Sequence, residues 1–441
     1  MKYYAVKGKV FSGAGAAALM VSIAACGSSG SSTSGATTAT TSSATSATSS
    51  ASSGASSKTI TIGVFAPFSG SYQADGKENL QGVETAVQEI NAQGGIKSLG
   101  GAKLKIVSVD AGTNGGSQAA TAAAQMAADN PAFVVSGPVS ASVLPGAPVF
   151  ERAQIPECTD GFADQLTTSG YNYLFELPPP GSVISKGAVP SFFQTLSLID
   201  PGATKVAVVY DSNPAQQSLT VTFANALKAT GKINIVYQSQ FPLGSTNLAP
   251  IAEQIKASGA QILIPGATNP ELEAILGPLQ ASGVHLPIYN PGGGSPSGED
   301  YLTSLGKYVN GQFAVVQFNH AANFSPAQNQ LLATANSDYV KQFHAAFMGE
   351  FGGEAYTCTW DLALAMERAA STNGAKIRAA MVGYPYTSGP GSLEIPGKVQ
   401  YNAQGVNVDG GSVLAEWCNN DLVAVGPNEN FQAKPPAQCG A

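Results

Sequence analysis

Short apolar runs alternate with amphipathic stretches through most of this chain. Residues 59–66 (TITIGVFA) are a near-continuous apolar run closed by Pro67, the pattern of a strand buried on both faces. Leu80, Val83, Val87 and Ile90 follow at helical spacing within 78–91, and Gly94-Gly95 stops that helix. The alternation continues with a strand at 104–110, an Ala-rich helix at 117–129, a strand at 133–136 and a helix at 143–153. A fresh series opens with KVAVVY at 205–210. It runs through a helix at 219–230, a strand at 233–238, a helix at 248–258, a strand at 261–265 and a helix at 271–282. Strands separated by helices imply βαβ crossovers and parallel sheets. Two such series imply two lobes, and the stiff run Pro178-Pro179-Pro180-Gly181 reads as a crossing between them.

The first 58 residues do not share this pattern. Lys2, Lys7 and Lys9 precede an uncharged, largely apolar run at 11–25, then Cys26. That is the layout of a secretory signal, too short and wrongly flanked to span a membrane. Ile23-Ala24-Ala25-Cys26 resembles the bacterial lipobox, which implies that Cys26 is lipidated and becomes the new N-terminus. A lipid chain anchors because each buried CH₂ contributes about 0.8 kcal/mol. Residues 27–57 contain only Gly, Ser, Thr and Ala, cannot bury a core, and are expected to form a flexible tether with a span of roughly 30 Å.

Composition narrows the function. The chain has 441 residues, 44% apolar and only 11% charged, with a net charge of −7, so a basic groove for nucleic acid is excluded. There is no metal-spaced cluster among His285, His320 and His344, and no C-x-x-C, so neither a metal nor a cofactor is expected. The motifs of a nucleophile elbow, a phosphate loop and a zinc protease are all missing, which argues against an enzyme and leaves no catalytic residues to assign. If lipid takes Cys26, four cysteines remain in an oxidising compartment, with three possible pairings. Cys418–Cys439 is the local choice, which would leave Cys158–Cys358 as a bridge between distant segments.

Residues 60–96 read ITIGVFAPFSGSYQADGKENLQGVETAVQEINAQGGI. The turn Pro67-Phe68-Ser69-Gly70, the helix with Gly76, Gly82 and Ala86, and the exit from Glu89 to Ile96 resemble the branched-chain amino-acid binding family of extracytoplasmic solute-binding proteins. Further matches are Asp110, the 136–140 segment SGPVS, and the late helix at 356–370. The resemblance implies a type I periplasmic-binding fold: two doubly wound parallel-sheet lobes, three crossing segments and a cleft between. Lobe one would comprise 59–178 with 316–390, and lobe two 179–315 with 391–441.

The family mechanism is hinge closure on a small polar solute, such as an amino acid, an amide or a urea-like compound, followed by delivery to an ABC permease. The protein would be a monomer on the outer face of the cytoplasmic membrane. A ligand-sensing lipoprotein of the same fold is the alternative.

By this resemblance, the Ser140-Ala141-Ser142 loop would hold a ligand carboxylate, and Asp160-Gly161-Phe162 would touch both ends of an amino acid. Phe162 stands where many relatives carry Thr, a departure from a standard amino-acid site. Tyr72 would reach into the cleft from lobe one. Asp211 would face it from lobe two, where an aromatic found in many relatives is missing, and Thr268 and Asn269, after the third strand of that lobe, would offer it polar contacts or cap the helix beginning near Pro270.

Overall fold

The computed structural model describes residues 58–292 and 294–425. The expected signal, Cys26 and the tether, and the Cys439 half of the second disulfide, lie outside the described residues. Among the described residues no helix is long and apolar enough to cross a membrane.

Five strands form the first sheet: β1 (Thr59–Ala66), β2 (Lys103–Asp110), β3 (Val134–Ser136), β4 (Glu157–Thr159) and β5 (Leu174–Glu176). All pairs are parallel, in the order β2-β1-β3-β4-β5. The crossovers are α1 (Gln73–Ala92), α2 (Gly116–Ala128), α3 (Ser140–Ala153) and α4 (Asp164–Thr168). β1 is apolar throughout because helices cover both faces of a parallel sheet. Ile62 and Val64 pack on one side and Phe65 on the other.

After α5 (Gly181–Ile199) the second series begins. β6 (Lys205–Asp211), α6 (Thr222–Ala229), β7 (Asn234–Phe241), α7 (Ala249–Ser258), β8 (Ile262–Gly266) and α8 (Asn269–Ala281) build a parallel sheet in the order β7-β6-β8. β9 (Tyr289–Asn290), α9 (Glu299–Leu305) and β10 (Phe313–Val316) follow, with a bridge from Leu263 to Ile288 linking β8 to the approach of β9. The chain then makes α10 (Pro326–Phe343), α11 (Glu350–Ala369), α12 (Gly374–Met381), and the short pair β11 (Pro385–Tyr386) and β12 (Val399–Gln400). It closes with β13 (Val413–Cys418), antiparallel to β10, and its hairpin partner β14 (Asp421–Ala424).

In both sheets the winding reverses beside the opening strand. β2 and β3 lie on opposite sides of β1, and β7 and β8 on opposite sides of β6. Loops that leave a parallel sheet at such a switch point diverge and open a crevice.

The apolar pattern finds β1 to β3 with α1 to α3 and β6 to β8 with α6 to α8, most of them within a few residues, and gives no account of β4, α4, β5 or the elements from β9 onward. Three starts or stretches are placed differently, that of α11 by the resemblance rather than by the pattern. α1 begins five residues before the predicted start at 78, and α11 six residues before the predicted 356. Their first two turns carry Asp75, Glu78 and Asn79, and Glu350, Gly352, Gly353 and Glu354, all buried. Periodicity reads such residues as surface. The predicted helix at 219–230 opens instead with a π-helical turn, Gln217–Val221. α5, with Pro190 in its middle, is not expected from the pattern at all.

α1 and α11 cross closely. A Cβ on Gly82 would stand 1.9 Å from the carbonyl oxygen of Gly352, so the two backbones touch where only glycine fits. The disulfide Cys158–Cys358 ties β4 of the first sheet to α11 across a sequence separation of 200 residues. Both cysteines are fully buried. Cys418 is disulfide-bonded as well.

Two outcomes follow. Gly82→Ala is expected to force α1 and α11 apart and cost about 1–3 kcal/mol, the range for overpacking a filled core; a chemical-denaturation midpoint unchanged from wild type would refute the contact. Replacing Cys158 and Cys358 together by Ala is expected to cost about 2–5 kcal/mol, read as a lowered melting temperature under non-reducing conditions.

Candidate functional site

Loops at the carboxyl ends of both sheets meet in one narrow slot, open to solvent, with about 30 Å³ of free volume. From the first sheet come Tyr72, after β1, Pro138, after β3, and Phe162, after β4. From the second come Asn213, Gln216, Leu219 and Thr220, after β6, Ala267, after β8, and Asn290, Ser295 and Pro296 around and after β9. Phe351, in the first turn of α11, closes the floor. Hydroxyl and amide groups thus alternate with three aromatic rings, a lining suited to a small solute with polar and apolar parts.

One hydrogen-bonded chain spans the slot. The Tyr72 hydroxyl donates to Asp211 Oδ2 at 3.4 Å and accepts from Asn213 Nδ2 at 3.2 Å. Asp211 is pinned in turn by the Asn213 backbone N–H at 2.8 Å. The two sheets therefore touch through a buried tyrosine rather than through an ion pair.

The other expected residues are spent on building the walls. Ser140 Oγ accepts from the backbone N–H groups of Phe162 and Ala163 at 3.1 and 3.2 Å. Ser142 Oγ donates to the carbonyl of Gly112, and Ala141 lies against Gly115. Gly161 N–H donates to Thr159 Oγ1 at 3.1 Å. Thr268 caps α8 in a capping box with Glu271. Asn269 donates to Asp300 Oδ2 at 2.7 Å. Tyr72 and Phe162 line the slot, and Asp211 and Asp160 stand one layer behind it.

That second layer is acidic. Asp160 accepts from Asn79 Nδ2 at 2.9 Å and presses on Gly137, where a Cβ would fall 1.4 Å from its Oδ1. Gly137 sits at φ +144, so both backbone and space demand glycine there. Asp75 accepts from the slot residue Ser295 at 2.8 Å. Glu350 accepts from Ser297 Oγ at 2.7 Å and from the backbone of Gly294 and Gln317. Glu78 accepts from Gly352 N–H at 3.0 Å. Burial pushes Glu78 and Asp160 up to about 8 and Glu350 up to about 7. Asp75, Asp211 and Glu354 stand well above the usual carboxyl range, mainly because they are buried and secondarily because other carboxyl groups face them.

Sequence reasoning missed Phe351 and the acids of α1 and α11. A signal was available: Asp75, Glu78, Asn79 and Gly82 repeat at helical spacing on the face that carries Ala86 inward.

The family model of periplasmic binding proteins matches residues 59–417. This chain belongs to that family. Its members bind solutes outside the cytoplasm and are not enzymes. The Leu/Ile/Val-binding protein homolog 8 of Brucella abortus is 26% identical over 291 residues, 64% of this chain and 71% of its own. The Leu/Ile/Val-binding protein of Escherichia coli K12 is 27% identical over 238 residues, 54% of this chain and 62% of its own. Among solved structures, the branched-chain amino acid transporter substrate binding protein of Streptococcus pneumoniae, in complex with isoleucine, superposes with a TM-score of 0.70. It is 21% identical and covers 84% of this chain and 100% of its own. A solute binding protein of R. palustris in complex with 4-hydroxybenzoate gives a TM-score of 0.69 at 19% identity, over 86% of this chain and 98% of its own. The fold is the type I periplasmic-binding fold.

The raised carboxyl groups fix a pH response. An unfolded carboxyl releases its proton near about pH 4, whereas Glu78, Asp160 and Glu350 hold theirs to about 7–8. Over that interval the unfolded state binds fewer protons, so stability falls as pH rises. The ligand-free protein is expected to melt several degrees lower at about pH 8.5 than at about pH 5.5; a melting temperature that climbs over that range in scanning calorimetry would contradict the buried acids.

Proposed function

We propose that this chain is the solute-binding component of an ABC importer, anchored to the outer face of the cytoplasmic membrane through lipidated Cys26. It takes a small polar solute in the slot, closes on it by hinge motion, and hands it to a membrane permease. Lobe one is 59–178 with 316–390, and lobe two is 179–315 with 391–441. The observation that carries this reading is the slot itself: both sheets turn their strand carboxyl ends to it, and Tyr72 of one reaches Asp211 and Asn213 of the other. A link made of two hydrogen bonds of 3.2–3.4 Å holds a closed state without locking it.

In this reading Tyr72, Phe162 and Asp211 contact or orient the solute. Ser140, Ala141, Ser142, Gly161, Thr268 and Asn269 shape the loops that present it. Asp160 sets the electrostatics behind the wall. The relatives named for leucine, isoleucine and valine put aliphatic amino acids first among solutes to test.

The test is a calorimetric and thermal-shift panel of aliphatic amino acids, amides, ureas and amines. A true solute at a hundred times its Kd should stabilise the protein by about 2.7 kcal/mol. Tyr72→Phe keeps the ring and loses the hydroxyl, and is expected to weaken that solute about tenfold, or about 1.4 kcal/mol. Unchanged affinity in Tyr72→Phe would remove the bridge from the mechanism, and silence across the panel would count against the importer reading.

A further inference from the structure

Seven carboxyl groups are buried in the layer behind the slot: Asp211, Asp75 and Glu350 bond to the lining residues Tyr72, Ser295 and Gly294, Asp160 presses on Gly137 beside Pro138, and Glu78, Glu354 and Glu394 face these acids rather than the slot. The charged groups that face them are further acids. Asp300 of α9 faces Asp75 and Glu78, Glu271 of α8 faces Asp211, and Asp361 of α11 faces Glu394. Tyr72 faces Asp211, Tyr339 of α10 faces Glu78, and Tyr401 faces Glu394. Among the described residues the ion pairs are His320–Asp421 and Lys398–Asp409, and neither includes any of the seven.

Acceptors also outnumber donors. Both oxygens of Glu354 and of Glu394, Oδ1 of Asp75 and Oδ1 of Asp160 are buried without a hydrogen-bond partner. So is Oδ1 of Asn79, a fully buried neutral side chain whose amide nitrogen is held on Asp160. A buried acceptor array of this kind is satisfied by protons or by a cation.

The slot wall in front of these acids carries the rings of Tyr72, Phe162 and Phe351, and aromatic faces attract cations. No Lys, Arg or His is among the described lining residues to hold a carboxylate. The hydroxyls of Ser140 and Ser142 are already bonded to the protein backbone.

We propose that the slot takes an organic cation without a carboxylate, an amine, guanidinium or quaternary ammonium compound, with its charge against the aromatic rings and toward the carboxyl groups behind them. This rests on the importer reading and names the class of solute within it. The ligand-free site holds protons near neutrality, because burial raises Glu78, Asp160 and Glu350. An arriving cation favours the ionised carboxylates, so binding releases protons and strengthens as pH rises.

Titration calorimetry of the purified full-length chain with choline, putrescine and agmatine, set beside isoleucine and acetamide, tests it. At least one cation should bind, about tenfold more tightly at about pH 8.5 than at about pH 6, tenfold being one unit of carboxyl pKa change. Heats measured in buffers of different ionisation enthalpy should show proton release. Asp160→Asn and Asp75→Asn should each weaken the cation at least about tenfold while holding or raising the melting temperature, since a buried amide replaces a buried acid. Isoleucine or acetamide binding with no cation binding would overturn the cation class and leave the importer reading standing. Cation affinity that is flat with pH, or unchanged in both variants, would overturn it too. If none of the five probes binds, the inference falls together with the importer reading.

Discussion

The close crossing of α1 and α11 is the contact on which the rest of this architecture depends. Gly82 and Gly352 remove the side chains that would keep the two helices apart, and their backbones meet. α1 leaves the first sheet beside Tyr72, and α11 opens with Phe351. Bringing the two together therefore places one slot residue from each at the same floor. Cys158–Cys358 holds α11 to β4, two residues from Asp160. Helix contact, disulfide and slot are one continuous piece of packing.

The same crossing explains the electrostatics. The inward faces of both helices carry acids in their first two turns, so the closest part of the contact is also the most acidic. Acids tolerate this only with backbone donors and glycines around them. Gly352 N–H serves Glu78, Gly294 N–H serves Glu350, and Gly137 makes room for Asp160. Each interaction offsets part of the desolvation, and none supplies a counter-charge. The floor is therefore stable in its protonated form and responsive to anything that brings positive charge.

Much of this fold is legible in the sequence, because a parallel sheet covered on both faces needs unbroken apolar strands, and β1, β6 and β8 are such runs. The loops that line the slot are legible for the same reason, since they must follow those strands. Tyr72, Phe162 and Asp211 fall at or behind the slot. What is not legible is the use of each side chain. Thr268 could touch a solute or cap α8, and its capping box with Glu271 is a fact of geometry rather than of composition. Likewise Ser140 has an oxygen that either a ligand or the Phe162 backbone could engage, and the backbone has it. The starts of α1 and α11 escape a hydrophobic pattern because their buried faces are made of acids, amides and glycines.

The placement of the disulfide also orders events in time. The five strands of the first sheet are complete by Glu176, but Cys158 must wait for a partner 200 residues further along. At about 5–20 residues per second of synthesis, that partner arrives roughly ten seconds or more later. Until then the inward face of α1, acids included, has no α11 to cover it. The amino-terminal half therefore cannot settle early into its final packing while the chain is still emerging. The first domain-sized segment of the chain therefore stays incomplete until α11 has been made.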